Sequence, residues 1–340
     1  MDYQSSSSLA HGQMGEWCKA CPVCNGRACG AHIPGPGAKG QGTVAVRNYD
    51  AWQNLRLVMD TIHDEFAASC ETTVLGRSLA LPVMIGPVGD VNRHYGDKYN
   101  TVTYNGAILR AASSAGSLAW TGDGLDGTIM TKALTLMDEL GGQGIPTIKP
   151  WSMDVISEKL EDALAIRPVA VAMDIDAAGL PFLRGQQPPA GAKSVRQLRQ
   201  IAKRCHDAGT PFILKGIMSA RGAHKAVDAG VDAIVVSNHG GRVLDGVPAT
   251  AEVLPQIASE VGSDLQIFVD GGIRCGADVF RALALGASAV LICRPFVVAT
   301  FGGGEEGIAG YLEQLARELM DCMEMCGAPT VADIDRDMLM

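Results

Sequence analysis

Residues 232–245 read Asp-Ala-Ile-Val-Val-Ser-Asn-His-Gly-Gly-Arg-Val-Leu-Asp. An apolar run from Ala233 to Val236 stops at Ser237. An imidazole (His239), two glycines (Gly240, Gly241), a guanidinium (Arg242) and a carboxylate (Asp245) follow. Imidazole is a base near neutral pH, and a guanidinium three residues away is a two-pronged anion donor. Together they suit removal of a proton from an anionic small molecule. The plainer alternative is a strand, a glycine turn and two satisfied polar side chains.

Chemistry at such a place needs a scaffold that gathers strand ends. From about residue 80, short β-type runs alternate with helical stretches, the pattern of βαβ units and a parallel sheet. Expected strands are 82–86, 117–121, 146–149, 168–174, 211–215, 233–237, 266–270 and 288–293. Expected helices include 153–166, 194–208, 220–229, 250–261 and 277–285. A last one, 310–325, carries a stripe of Leu312, Leu315, Ala316, Leu319, Met320 and Met323. Eight strand–helix units imply an α/β protein built as a (β/α)8 TIM barrel, whose chemistry sits at the carboxyl ends of the strands. No Gly-x-Gly-x-x-Gly opens a helix after the first strand, which speaks against a nicotinamide dinucleotide fold. Residues 1–45 fall outside the pattern and read as a Cys/Gly-rich N-terminal extension or lid of low regular structure. Residues 46–340 form the barrel domain, entered through a helix and a short strand.

Other strand ends carry polar groups in step with His239. The fourth ends in Asp174-Ile175-Asp176, the fifth at Lys215, the seventh in Asp270-Gly271-Gly272-Ile273-Arg274, and the eighth in Cys293-Arg294. Two arginines and glycine amides beside the last two strands are the means by which barrels bind phosphate. Lys215 could neutralise an electron-rich ring system. The formal charge of −9 over 340 residues argues against nucleic acid as a partner. No run of about 18 apolar residues exists to span a membrane. The polar, Ser-rich start has no secretory h-region, so a cytoplasmic protein is expected, with its ten cysteines reduced thiols or metal ligands.

Ser237-Asn238-His239-Gly240-Gly241-Arg242, Asp270-Gly271-Gly272-Ile273-Arg274 and the run from Asp278 to Ala287 resemble the FMN-dependent 2-hydroxy acid oxidase and dehydrogenase family (glycolate and lactate oxidases). The resemblance covers roughly 65–326, beginning with Thr73-Val74-Leu75-Gly76 and Leu81 to Pro87. It implies that His239 is the base, Asp174 its orienting partner and Arg242 the grip on a substrate carboxylate. It places Lys215 against flavin N1 and O2. Arg274 and Arg294, with amides around Gly272 and Cys293, would hold the FMN phosphate, and backbone from Gly86 through Pro87 to Val88 would line the ring. Lys149, Ser237, Asp270 and Gly271 complete the expected cofactor site. An anionic small-molecule substrate and a homo-oligomer, a tetramer, are also implied.

The chain departs from that family on the substrate side. The arginine expected about seven residues after Asp174 is missing, leaving Arg184 or Lys149 to replace it. Trp151 stands where the family has tyrosine, Lys149 replaces a glutamine, and Cys293 replaces a glycine. The N-terminal helix that brings an early tyrosine is not expected here. Before the resemblance begins, Cys18-x2-Cys21-x2-Cys24-x4-Cys29 offers four thiolates to an iron–sulfur cluster or to zinc. A cluster would add an electron-acceptor protein as partner. The leading expectation is an FMN-dependent oxidoreductase acting on a 2-hydroxy acid or a related CH–OH or CH–NH substrate. The alternatives are an FMN-dependent isomerase resembling type 2 isopentenyl diphosphate isomerase, and a non-catalytic metal-binding redox protein.

Overall fold

The computed structural model describes residues 1–34, 37–183, 185–187 and 189–340. An antiparallel hairpin, β1 (Thr72–Val74) and β2 (Arg77–Leu79), precedes a sheet of eight parallel strands. These are β3 (Val83–Ile85), β4 (Trp120–Thr121), β5 (Ile145–Ile148), β6 (Val171–Asp174), β7 (Phe212–Ile217), β8 (Ala233–Val236), β9 (Gln266–Asp270) and β10 (Ala289–Ile292). β10 pairs with both β9 and β3, and Ile85 bridges Ala119 in parallel, so the sheet closes into the expected (β/α)8 barrel.

Strand alternation decides what faces the barrel interior. Met84, Trp120, Ala172, Ile213, Val235, Phe268 and Leu291 form one buried interior cluster with Val74 and Leu79 of the hairpin. Two residues further along, the same face presents Gly86, Gly122, Asp174, Lys215, Ser237, Asp270 and Cys293 at the carboxyl end. The opposite faces, such as Phe212 and Leu214, pack against the helices. Helix Val195–Asp207 is typical of that outer layer. Ser194 and Gln197 close a capping box, and Leu198, Ile201, Ala202 and Cys205 recur at helical spacing on its buried face. The expected helix 310–325 is the second half of Arg294–Cys326, which Gly304 interrupts with φ 56° and ψ −141°. No helix among the described residues is long and apolar enough to cross a membrane.

The first 45 residues hold more regular structure than their composition suggested. Helix Tyr3–Ala10 has Asp2 as its cap, and Tyr3 packs on Tyr311 with ring centroids 4.8 Å apart. A helix therefore does stand near the start of the chain, although Tyr3 does not line the cavity described below. A second helix, Thr43–Asn54, runs through the boundary placed at residue 45. Its buried Asn48 exchanges two 2.8 Å amide hydrogen bonds with Asn238, and the Trp52 indole donates to the Gly271 carbonyl at 2.8 Å. One helix thus fixes two loops of the barrel mouth. Gly272, at φ +90°, approaches it so closely that a Cβ would lie 2.3 Å from the Asn48 carbonyl oxygen. Asn48→Ala would strip partners from Asn238 and from the Thr250 N–H. It should cost about 2–3 kcal/mol, read as a lower urea midpoint at unchanged slope.

Candidate active site

The barrel mouth holds a cavity of about 400 Å³. At its floor the Lys215 ammonium lies 3.3 Å from Asp174 Oδ1 and 3.4 Å from Asp270 Oδ2, and donates to Ser237 Oγ at 3.0 Å. The β6–β7 register pairs Asp174 with Lys215 directly, and Lys149 reaches Asp174 Oδ2 at 3.7 Å. All four charged residues are buried. Burial alone would favour neutral Lys215, but Asp174, Asp270 and Asp176 outweigh it and hold its pKa well above the usual lysine value. Burial likewise opposes ionisation of Asp174, yet Lys215, His239 and Lys149 hold its carboxyl far below the ordinary range. Near neutral pH the floor is a fixed network of ions.

His239 enters the turn after β8 with φ +54°, a left-handed backbone worth of order 1–3 kcal/mol of strain in a non-glycine residue. Its N–H donates to Ser237 Oγ at 3.2 Å, and the neighbouring Asn238 is anchored on Asn48. Imidazole Nδ1 meets Asp176 Oδ1 at 3.1 Å, which leaves Nε2 for a ligand. The hydrogen bond of His239 thus goes to Asp176 rather than to the expected Asp174. Asp174 is held between two lysines, and Asp176 orients the ring, although ligand atoms of all three residues lie within 4.8 Å of one another. The local signal for Asp176 was Gly216. At φ +106° its absent Cβ leaves the space that Asp176 occupies, since a Cβ there would sit 2.5 Å from that of Asp176.

Arg242 and Arg294 also line the cavity, and among the described residues neither has a carboxylate partner. Burial lowers the pKa of Arg242, whose neighbour is the Tyr95 hydroxyl. Arg294 keeps one guanidinium nitrogen sealed from solvent with no hydrogen-bond partner. Desolvated cations without counter-ions are suited to anionic ligands. Arg274, Gly271, Gly272 and Cys293 line the same cavity, so the expected phosphate-binding residues are gathered. The Cys293 sulfur fills the space beside Gly86, where a Cβ would come within 2.4 Å of it, and burial pushes its thiol up to about 12. Pro87, Val88 and Lys149 line the cavity as expected. Trp151 does not. It is buried, and its indole donates to Asp123 Oδ2 at 2.7 Å while Asp123 pairs with Lys159 at 3.0 Å. Arg184 lies outside the described residues.

The remaining walls come from residues that the motifs did not single out: Trp17, Pro34, Arg93, His94, Tyr95, Leu180 and Phe182. The N-terminal segment lies over the mouth as a lid. The Gly15 N–H donates to the Tyr95 carbonyl at 2.6 Å, Lys39 N–H to that of Gly241 at 2.9 Å, and Gln41 N–H to Asp245 at 3.1 Å. Asp245 is thus a fastener for the lid. Arg274 Nε donates to the Cys24 carbonyl at 2.6 Å, tying the lid to the phosphate side. Cys18, Cys21, Cys24 and Cys29 sit in this lid, partly buried, close enough that a thiolate on any of the other three would oppose ionisation of Cys18. Burial pushes the Cys18 thiol up to about 12. Among the described residues, no three of these sulfurs lie within 4.8 Å of one another.

Burial, reinforced by Arg242, Arg93 and Lys149, pushes the His94 imidazole down to about 4. The unfolded chain then takes up this proton first as pH falls from about 6.5 to 4, so folding stability drops across that window. His94→Gln should show a smaller drop when melting temperature is followed against pH.

The chain matches the family described as FMN-dependent dehydrogenase over residues 35–131 and 150–340. It is 32% identical over 327 residues to a 4-hydroxymandelate oxidase of Amycolatopsis orientalis, covering 86% of this chain and 89% of that one. A stretch of 129 residues is 52% identical to an L-lactate dehydrogenase of Stenotrophomonas maltophilia, 38% of this chain and 34% of that relative. By that alignment the chain spans about a third of the relative's length. A mandelate oxidase crystallised with 2-hydroxy-phenylacetamide aligns with a TM-score of 0.81 at 25% identity, over 100% of this chain and 97% of that one. The four lid cysteines precede the residues matched by the family.

Proposed function

Because this chain belongs to the FMN-dependent dehydrogenase family, we propose that it oxidises a 2-hydroxy acid to the 2-oxo acid. The observation that carries this reading is a pair of guanidiniums, Arg242 and Arg294, without carboxylate partners among the described residues, on the cavity that His239 lines. One anion site suits a cofactor phosphate and the other a substrate carboxylate.

The residues present fit FMN. Arg294, with its unpartnered nitrogen, would hold the phosphate together with Arg274 and the main chain at Gly271 and Gly272. Lys215 would face the electron-rich edge of the ring system, and Pro87 and Val88 would line it. FMN, when bound, would accept the C2 hydrogen as a hydride, an electron pair with one proton, leaving the hydroxyl proton to the protein's base. The chain's own residues do the rest. Arg242 grips the carboxylate in a two-pronged contact and fixes the carbinol carbon. His239 Nε2 takes the proton, while Asp176 holds the ring orientation at Nδ1 and stabilises the imidazolium that forms. Asp174 balances the two lysines, and the lid shelters the site from bulk water.

Lactate, glycolate and mandelate, supplied with an artificial electron acceptor, should include a substrate that yields its 2-oxo acid. His239→Ala should lower kcat/KM on it by about 10²–10⁴-fold with FMN content unchanged. Wild-type rates in that variant would refute the base assignment. Acceptor reduction in step with product separates oxidation from a flavin-dependent isomerisation.

The lid cysteines support a further reading, a metal centre beside the phosphate arginines. Four thiols within twelve residues suit an iron–sulfur centre or zinc. Protein purified without air should carry iron and sulfide, or zinc, with its flavin, and lose them when Cys21 and Cys24 are both changed to Ser. Flavoprotein free of iron, sulfide and zinc would contradict this.

A further inference from the structure

We infer that Arg93 and His94, on the short helix Val91–Tyr95 after the first barrel strand, complete with Arg242 the clamp for the substrate carboxylate. The inference rests on the proposed 2-hydroxy acid chemistry and names Arg93 as its second cationic arm, with His94 as a neutral donor beside it. After Asp174 the chain runs Ile-Asp-Ala-Ala-Gly-Leu-Pro and has no arginine before Arg184, three residues beyond that stretch. Lys149 is already opposed by Asp174 at 3.7 Å, and its side chain is 9% exposed.

Arg93, His94, Arg242 and His239 line one cavity. Among the described residues Arg93 meets a carboxylate at Asp90, 3.9 Å away and beyond hydrogen-bond range, so the guanidinium keeps its donors. At 68% exposure the side chain has room to swing across the mouth. His94 is neutral near pH 7, held so by burial and by Arg242, Arg93 and Lys149. It can therefore give an N–H without adding charge. An incoming carboxylate would relieve the mutual repulsion of those cations. Placement is set by the chain itself: the helix stops at Gly96, which sits at φ +108°, and the lid fastens on Tyr95. Three successive residues, Arg93 to Tyr95, are thereby turned to the cavity.

Oxalate, which has the carboxylate but no transferable hydrogen, is the probe, titrated calorimetrically into the FMN-loaded enzyme. Arg93→Met should weaken oxalate binding at least tenfold and raise KM for the 2-hydroxy acid more than it lowers kcat. Arg93→Lys should recover part of the loss, His94→Leu should weaken binding less than Arg93→Met, and FMN content should not change. Wild-type oxalate affinity in Arg93→Met overturns the clamp, even where His239→Ala is inactive and the oxidation itself stands. A wild-type holoenzyme that neither binds oxalate nor oxidises any 2-hydroxy acid overturns the clamp and the proposed function together.

Discussion

The site depends first on one buried ammonium. Lys215 lies inside the barrel at the level where the apolar interior ends, and it is stable there through Asp174, Asp270 and Ser237. Taking away one partner of such a buried set leaves an uncompensated charge, worth about 3–5 kcal/mol. The three strands that carry these groups, β6, β7 and β9, are therefore locked in register by charge as well as by backbone pairing. The same cluster assigns roles around it. With Asp174 engaged by Lys215 and Lys149, the imidazole of His239 takes Asp176. Arg242 and Arg294 are left with unmet charge, and that charge is what a ligand would answer.

The N-terminal segment turns this cluster into an enclosed site. Asn48 and Trp52 hold the loops after β8 and β9, and Asp245 pins the glycine tract near residue 40. At Gly40 a Cβ would meet Asp245 Oδ2 at 1.8 Å, so the fastening needs a glycine there. Lid, loop and base thus form one connected body. A change in the lid near Cys24 would be felt at Arg274 through their 2.6 Å contact.

Much of this was legible in the sequence because alternation within a strand is simple. A polar residue two places beyond an interior apolar one must lie at the barrel mouth, which makes Asp174, Lys215, Ser237 and Asp270 readable. What could not be read depends on packing between distant segments. Asp174 and Asp176 stand two residues apart, and the lysines around Asp174 together with the space left at Gly216 decide which one meets His239. Trp151 looked like a site aromatic, but the buried carboxylate of Asp123 draws its indole away. Arg93, His94 and Trp17 lie in segments with no periodic signal, and their place follows from the lid. The serine-rich start reads as irregular, yet burial of Tyr3 against Tyr311 makes it a helix.

Anaerobic stopped-flow reduction of the FMN-loaded protein, by a 2-hydroxy acid carrying deuterium or hydrogen at C2, tests the central claim most directly. In the wild type the flavin should bleach in a single turnover, slowed several-fold by deuterium. His239→Gln should slow bleaching by about 10²-fold or more. Loaded protein whose flavin no 2-hydroxy acid bleaches, or a His239→Gln variant that bleaches as fast as wild type, would contradict it.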